Sequence, residues 1–158
     1  MSPRRPAATA EVLEIAEKET GFLLQRAHRR LRMAHNEALG PMNLGIAHLA
    51  VMGLLSARGD LSQRQLIELM DADKSTMVHL IDELEKQRLA ERRPDADDRR
   101  AYAVHLTEAG RARLAEAGRI VKGVEDAFLS PLTPGERKRL NQMLKRIADH
   151  VSPHKLAP

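Results

Sequence analysis

Residues 61–87 read LSQRQLIELMDADKSTMVHLIDELEKQ, and this stretch decides the fold because it contains two helix starts separated by a short break. The first helix starts at Ser62, which forms a capping box with Gln65 three residues later, while the two flanking leucines form a hydrophobic staple. A tight connection then leads to Asp73, a suitable N-cap for the next helix. The pattern predicts one helix over 62–70 and a second that begins directly after the connection.

The second helix, predicted from Lys74 to about Gln87, has two contrasting faces. Its apolar residues recur at i, i+3, i+4 and i+7, which is typical of a buried stripe; they are Met77, Leu80, Ile81 and Leu84. The opposite face is polar and carries Ser75, Thr76, His79, Asp82 and Lys86. Such a face is typical of a recognition helix in a DNA major groove, but the solvated side of a surface helix has the same composition. We expect Asp82 to pair with Lys86 or with a nearby arginine.

A hairpin is predicted after this helix, with strands over 89–93 and 101–106. The second strand alternates apolar and polar side chains, so one of its faces is buried. The connecting loop carries a mixture of aspartates and arginines, which is compatible either with a DNA-contacting wing or with a self-neutralising surface loop. It is the only convincing β-structure that the sequence indicates.

Long helices are predicted on both sides of this central segment. They cover 10–39 and 43–57 before it, and 108–129 and a final helix opened by the capping box Thr133-Pro134-Gly135-Glu136 after it. The terminal helices carry apolar stripes with no partner inside so small a domain. Pairing with a second copy would bury these stripes, so a homodimer is predicted.

The predicted fold class is therefore mainly α with a small β-hairpin: a winged helix-turn-helix flanked by N- and C-terminal dimerisation helices. The segment 61–106 has the element order of a winged helix, in which the second helix enters a major groove and the hairpin reaches along the backbone. The expected division is a flexible arm at 1–9, an N-terminal dimerisation region at 10–42, a DNA-binding lobe at 43–107, C-terminal helices at 108–151 and a flexible tail at 152–158.

Composition excludes several classes of protein. The chain has 158 residues and no cysteine, which excludes disulfides, thiolate metal sites and thiol-based redox sensing. The longest apolar run, 46–55, is too short to span a bilayer, and no secretory signal opens the chain, so we expect a cytoplasmic protein with no membrane partner. No nucleophile–base pair, phosphate-binding glycine loop or metal triad is evident, so neither an enzyme nor a cofactor is expected. The net charge of +4 favours nucleic acid only weakly.

The sequence resembles the multiple antibiotic resistance regulator (MarR) family from about Gly21 to Val151. The resemblance rests on LLSARGDLSQRQL at 54–66, KSTMVHLIDELEK at 74–86, DRRA at 98–101 and LTEAG at 106–110. It implies a dimeric transcriptional regulator, most often a repressor, that binds a pseudo-palindromic site on double-stranded DNA.

The resemblance also assigns roles to individual residues. Ser75, Thr76 and His79 fall where the family's recognition helix faces DNA, Arg100 falls on the arginine that the family inserts into the minor groove, and Asp98 falls on the acid that shapes the wing. The candidate DNA-binding residues are Ser62, Arg64, Lys74, Ser75, Thr76, His79, Lys86, Arg92, Asp98, Arg99 and Arg100.

Two positions depart from the family pattern. Arg88 stands where a glycine normally ends the recognition helix in a left-handed turn, and an arginine costs more there than a glycine. Ile67 stands where the family favours alanine in the supporting helix. Slightly different local packing is expected at both positions.

Family members bind small anionic aromatic molecules between the dimer helices and the DNA-binding lobe. By that resemblance we expect a small anionic effector, aromatic or carboxylate, with Met33 and Met42 also near the cavity; the candidate ligand-binding residues are Arg26, Arg29, His35, His48 and Met52. Methionines that merely fill gaps in the core and histidines that lie on a helix surface are the simpler interpretation. A metal-responsive regulator using these histidines, and a winged helix used only for protein contacts, remain alternatives.

Overall fold

The computed structural model describes residues 18–94 and 102–150. Within these residues, four α-helices and three strands come first, and two long α-helices follow. In chain order the elements are α1 (Thr20–Leu39), α2 (Ile46–Arg58), β1 (Leu61–Ser62), α3 (Gln63–Met70), α4 (Lys74–Lys86), β2 (Ala90–Pro94), β3 (Tyr102–Leu106), α5 (Glu108–Phe128) and α6 (Pro134–His150). The prediction of a mainly α winged helix-turn-helix is confirmed.

The connection between α1 and α2 differs from the prediction. α1 begins at Thr20 with Lys18 and Glu19 outside it, so the helix predicted over 10–39 is not continuous, and residues 40–42 form one 3₁₀ turn. The helix predicted to start at Asn43 starts at Ile46 instead, because Asn43 adopts a left-handed conformation with φ 53°. The Asn36 side chain then accepts a hydrogen bond from the Ile46 N–H at 2.9 Å, which satisfies one donor at the new start of α2.

The hairpin belongs to a three-stranded antiparallel sheet in the order β1-β3-β2. The predicted strands β2 and β3 pair from Ala90 with Leu106 to Pro94 with Tyr102. Contrary to the prediction that the hairpin is the only β-structure, Leu61 and Ser62 form a third strand that pairs with β3. A strand of two residues is too short to produce an alternating pattern, so no sequence pattern indicates it.

The core is aliphatic, as the aromatic content of 2% requires. The largest fully buried side chains come from α1, α2, α3, α4 and β3: Leu39, Val51, Met52, Leu55, Leu66, Met77, Ile81, Leu84, Val104 and Leu106. The predicted stripe of α4 is confirmed, since all four of its apolar residues are buried. Burial of this stripe fixes the rotation of α4 about its axis, so its polar residues face away from the core.

The end of α4 is joined closely to the start of α5. Arg88 lies in the left-handed region with φ 58°, which is the turn that the family forms with glycine. The next carbonyl group, that of Leu89, accepts a hydrogen bond from the Thr107 N–H at 3.1 Å. A side chain at Gly110 would place its Cβ only 2.1 Å from the same oxygen. Glycine is therefore required at this position for the first turn of α5 to approach the segment that follows α4.

The chain divides into two compact units, the first ending at Val124 and the second beginning at Glu125. In the second unit, the predicted capping box at the start of α6 is confirmed, with the Thr133 N–H donating to Glu136 Oε2 at 2.8 Å. The Thr133 hydroxyl also donates to Glu136 Oε2 at 2.7 Å, and this hydrogen bond, together with that from the N–H, lowers the pKa of Glu136. No side chain of α6 is buried within the described structure, and Met143, Leu144 and Ile147 are exposed.

Between residues 18 and 94 and between 102 and 150, no single helix is both long enough and apolar enough to cross a bilayer. The segments Thr20–Met42 and Ile46–Arg58 meet that test only when taken together, across a bend of 79°.

Gly110→Ala is expected to destabilise the protein by about 1–3 kcal/mol or more, because the new methyl group overlaps backbone that has little room to move. Gly118→Ala, in the same helix, is the matched control. A Cβ at that position meets no atom within 4 Å, so alanine should stabilise the helix by about 0.5–1 kcal/mol. Urea unfolding of both variants measures the two effects, and an equal change in both would contradict this account of the junction.

Candidate nucleic-acid interface

The start of α4 is organised by Asp73. Its carboxylate accepts hydrogen bonds from the Thr76 N–H at 2.8 Å, from Ser75 Oγ at 2.6 Å and from Thr76 Oγ1 at 2.6 Å. The predicted N-cap is thus confirmed, and these donors hold the pKa of Asp73 well below its ordinary value of 3.8. The two hydroxyl groups predicted to face DNA are exposed and already ordered by this carboxylate.

The helix that supports α4 is held by the predicted capping box. The Ser62 N–H donates to Gln65 Oε1 at 2.8 Å, and the Gln65 N–H donates to Ser62 Oγ at 3.2 Å. Arg64 extends into solvent from the first turn of α3, where its ion pair with Glu68 measures 2.9 Å and leaves the side chain 87% exposed. A contact of Arg64 with a DNA phosphate would require only the exchange of this exposed partner.

Most of the other predicted DNA-binding residues of α4 are also exposed. Lys74 begins the helix, Lys86 ends it, and His79 lies between them with its side chain 71% exposed. The structure therefore brings Lys74, Ser75, Thr76, His79 and Lys86 onto one helix with their side chains accessible.

Arg92 is placed differently from the other candidate residues. Its guanidinium group lies 2.8 Å from Asp82 Oδ1 and also pairs with Glu85, and its side chain is only 28% exposed. The expectation that Asp82 pairs with a nearby arginine is confirmed. The remaining candidates Asp98, Arg99 and Arg100 lie outside the residues that the structure describes.

The candidate ligand-binding residues occupy contrasting environments. His35 is 6% exposed, and its Nε2 atom has no hydrogen-bond partner. Met52 is fully buried in the core, whereas Arg29 is exposed and Arg26 is half-buried. An unpartnered polar atom at such depth is unusual, because most buried polar groups are hydrogen-bonded.

A cavity of about 410 Å³ lies where the end of α1 meets the start of α2. It is lined by Arg32, Asn36, Gly40, Asn43, Leu44, Gly45, Ile46, Ala47 and His48. Among the five predicted ligand residues only His48 lines it, and the sequence interpretation missed Arg32 and Asn36. The spacing contained a signal, since Arg29, Arg32 and Asn36 follow the i, i+3, i+7 pattern of one helix face.

His48 connects this cavity to α4. Its Nδ1 atom accepts a hydrogen bond from the Gly45 N–H at 3.0 Å, so the neutral ring carries its proton on Nε2. That nitrogen lies 2.8 Å from Glu83 Oε2, and the other carboxylate oxygen of Glu83 lies 3.4 Å from His79 Nε2. One carboxylate therefore bridges a cavity residue and a residue on the exposed face of α4.

Metal binding by the histidines has no geometric support within residues 18–94 and 102–150. No group of three or more His, Cys, Asp or Glu side chains in those ranges is arranged to hold an ion.

Comparison with known proteins agrees with this architecture. The family model described as "MarR family" matches residues 42–101. The transcriptional regulator HosA of Escherichia coli is 31% identical over 98 residues, which cover 62% of this chain and 73% of HosA. The transcriptional repressor NicR of Pseudomonas putida is 27% identical over 133 residues, which cover 84% of each protein. A probable transcriptional regulator from Pseudomonas aeruginosa has a crystal structure with a TM-score of 0.75 and 30% identity, covering 83% of this chain and 98% of that one.

The winged helix-turn-helix fold and the relatives named as transcriptional regulators together place the chain in that class of protein. The chain belongs to the MarR family of transcriptional regulators.

Asp73→Asn should destabilise the protein at neutral pH, because the amide replaces a charged acceptor of three hydrogen bonds. The pKa of Asp73 is lower in the folded than in the unfolded state, so its contribution is complete above pH 3.8 and is lost as the pH falls towards the lowered folded value. The stability difference between parent and variant should therefore shrink below about pH 4. Asp149→Asn, which removes an exposed charge from α6 and leaves the caps of α3 and α4 intact, separates cap loss from the loss of one charge. A difference that stayed constant down to the acid transition would contradict the argument.

Proposed function

We propose that this regulator is a ligand-responsive repressor that binds a pseudo-palindromic duplex operator as a homodimer in the cytoplasm. The observation that carries the proposal is the buried stripe of α4, which leaves Ser75, Thr76 and His79 exposed on a helix of rigid orientation. A helix held in this way is able to enter a major groove and reach base edges with its N-terminal half.

Positive groups around α4 support contact with phosphates. Lys74 and Lys86 lie at its two ends, and Arg64 extends from the neighbouring α3. We assign Ser62, which caps α3, to the same surface, and we assign Arg99 and Arg100 to the phosphate and minor-groove contacts of the wing. Asp98 would hold the wing in shape. The roles of Arg100 and Asp98 come from the family resemblance.

Exposed apolar residues support the homodimer. In α1 these are Leu23, Leu24 and Met33, and in α6 they are Met143, Leu144 and Ile147, with exposures from 40% to 61%. Apolar side chains at helical spacing on two terminal helices are typical of an interface. We therefore assign 10–42 and 108–151 to dimerisation and 43–107 to DNA binding. A twofold dimer would place two copies of α4 in successive major grooves, about 34–36 Å apart.

Repression is proposed rather than activation because one relative, NicR, is named a transcriptional repressor. A winged helix used only for protein contacts is the alternative. It would bind no duplex DNA, whereas phosphate contacts give binding that weakens steeply with salt because counterions are released.

The cavity at the start of α2 supports the effector. Arg32 and His48 supply a cation and a hydrogen-bonding ring, which suit a small carboxylate. The other candidate ligand-binding residues, which the family resemblance places near the effector, are assigned to the surroundings of this cavity; they are Arg26, Arg29, His35 and Met52. An anion that takes His48 away from Glu83 would also alter the carboxylate beside His79. Such a ligand shifts the population only if it binds the DNA-free arrangement more tightly.

The DNA-binding proposal is tested on an operator selected from random duplexes. Light scattering should show a mass of twice 17.7 kDa and two protomers per duplex. His79→Ala should cost on the order of 1–3 kcal/mol on the selected site and relax base preference. Arg100→Ala should weaken binding. It should also lower the salt slope, which is the steepness with which log affinity falls as log salt concentration rises, by about 0.9, the value for one lost phosphate contact.

Lys138→Ala, which removes an exposed charge from α6, is the control for general electrostatics. The proposal would be contradicted by a stable monomer. It would also be contradicted if His79→Ala and Arg100→Ala both bound the operator as the parent does.

The effector proposal is tested by titrating the protein–operator complex with salicylate and a panel of other small carboxylates. Release is expected at low ligand concentration for the parent and at clearly higher concentration for Arg32→Ala, Arg26→Ala and His48→Ala. Arg30→Ala is the matched control, because this exposed arginine lies on α1 but neither lines the cavity nor is among the candidate ligand-binding residues. If no carboxylate released the DNA, or if all three test variants matched the parent, the effector assignment would be wrong while the DNA-binding assignment stood.

A further inference from the structure

Arg92 lies on β2, the first strand of the wing formed by β2 and β3, and faces the C-terminal half of α4. We propose that Arg92 is a positioning residue, which sets the wing at a fixed angle to the recognition helix and does not itself contact DNA. This inference rests on the proposed DNA binding. It differs from the sequence interpretation, in which the same arginine was a DNA contact.

Three interactions join Arg92 to α4. The Arg92 backbone N–H donates to Glu85 Oε1 at 2.7 Å, and the guanidinium pairs with the other oxygen of the same carboxylate. A second guanidinium nitrogen lies 2.8 Å from Asp82 Oδ1. Because one carboxylate binds both the backbone and the side chain of Arg92, it fixes the strand itself and not only the end of a flexible side chain.

The environment of these groups strengthens the interaction. The exposed fractions of the Arg92, Glu85 and Asp82 side chains are 28%, 30% and 44%, so water and salt screen the network less than a fully exposed pair. The planar guanidinium group spans two carboxylates at once, which a lysine ammonium on a flexible stem does less well. To contact a phosphate, Arg92 would have to break its ion pairs with both Asp82 and Glu85.

The neighbouring Arg93 provides the contrast. Successive side chains of a strand point to opposite faces, and Arg93 is 52% exposed with its ion pair to Glu91 inside the same strand. It joins β2 to no other element through that pair. Arg92 and Arg93 therefore have the same charge and adjacent positions but different geometric roles.

The wing and α4 must contact two parts of the duplex at the same time, so their relative angle decides whether both contacts form together. The clamp between Arg92 and the two acids maintains this angle before DNA arrives. Loss of either side of the clamp is expected to weaken specific binding, because the entropy of ordering the wing must then be lost on binding.

The test uses the full-length protein and the selected operator, with affinity measured across a range of salt concentrations. Arg92→Gln and Glu85→Gln should each weaken binding about tenfold, the loss expected for a charged hydrogen bond, and the double variant should resemble either single one. The salt slope should stay at the parent value in all three. Arg92→Lys should also lose most of the affinity, and amide hydrogen exchange at residue 92 should be faster in Glu85→Gln.

A direct phosphate contact by Arg92 gives opposite results. Glu85→Gln would then release the arginine and tighten DNA binding, Arg92→Lys would bind nearly as the parent does, and Arg92→Gln would lower the salt slope by about 0.9. Arg93→Gln is the matched control for charge at the wing, and urea unfolding confirms that each variant is folded. If the parent showed no salt-dependent binding to any duplex, the proposed function would fail, which is distinct from failure of the clamp.

Discussion

The carbonyl group of Leu89 is the point at which the recognition helix, the wing and α5 meet. It accepts the Thr107 N–H at 3.1 Å, and the missing side chain of Gly110 lets the first turn of α5 approach the same oxygen. The Thr107 hydroxyl also lies within 3.0 Å of this oxygen and accepts the Gly110 N–H. Because the left-handed turn at Arg88 precedes this junction directly, these contacts help to set the direction in which the chain leaves α4. Strand β2 begins at Ala90, directly after Leu89, and strand β3 ends at Leu106, directly before Thr107, so each strand of the wing has one end at this junction.

Acidic residues on and beside α4 follow a common principle. A negative charge near DNA opposes binding unless it is matched, and each of the four acids between residues 73 and 86 has an intramolecular partner. Asp73 orders the hydroxyl groups at the start of the helix, Glu83 lies between two histidines, and Glu85 holds Arg92. The carboxylates thus orient the groups proposed to reach DNA and join α4 to α2 and to the wing. If a ligand bound in the cavity at the start of α2, rearrangement of the Glu83 hydrogen bonds would transmit that binding to the exposed face of α4.

Much of this architecture was predictable because it depends on local chemistry. The caps at Ser62 and Asp73 and the buried stripe of α4 follow from spacing alone, and the structure contains all three. The two-residue strand β1 and the start of α2 at Ile46 were not predictable, because each depends on a partner distant in sequence: β3 for the strand and Asn36 for the helix. Residue type identified Arg92 as a cation near DNA. Only the fold shows that two acids of α4 surround it, since helical spacing does not relate a strand to a helix.

The side chain of Tyr102 is 62% exposed at the first position of β3, next to the end of the wing loop. It is the only tyrosine of the chain, and the chain has no tryptophan. Incorporation of fluorotyrosine would therefore place a single ¹⁹F nucleus on the wing, and its resonance would need no assignment. Exchange between clamped and released wing positions would appear directly as broadening or splitting of that one line. The composition that leaves the core without large aromatic rings thus provides a spectroscopic reporter on the wing.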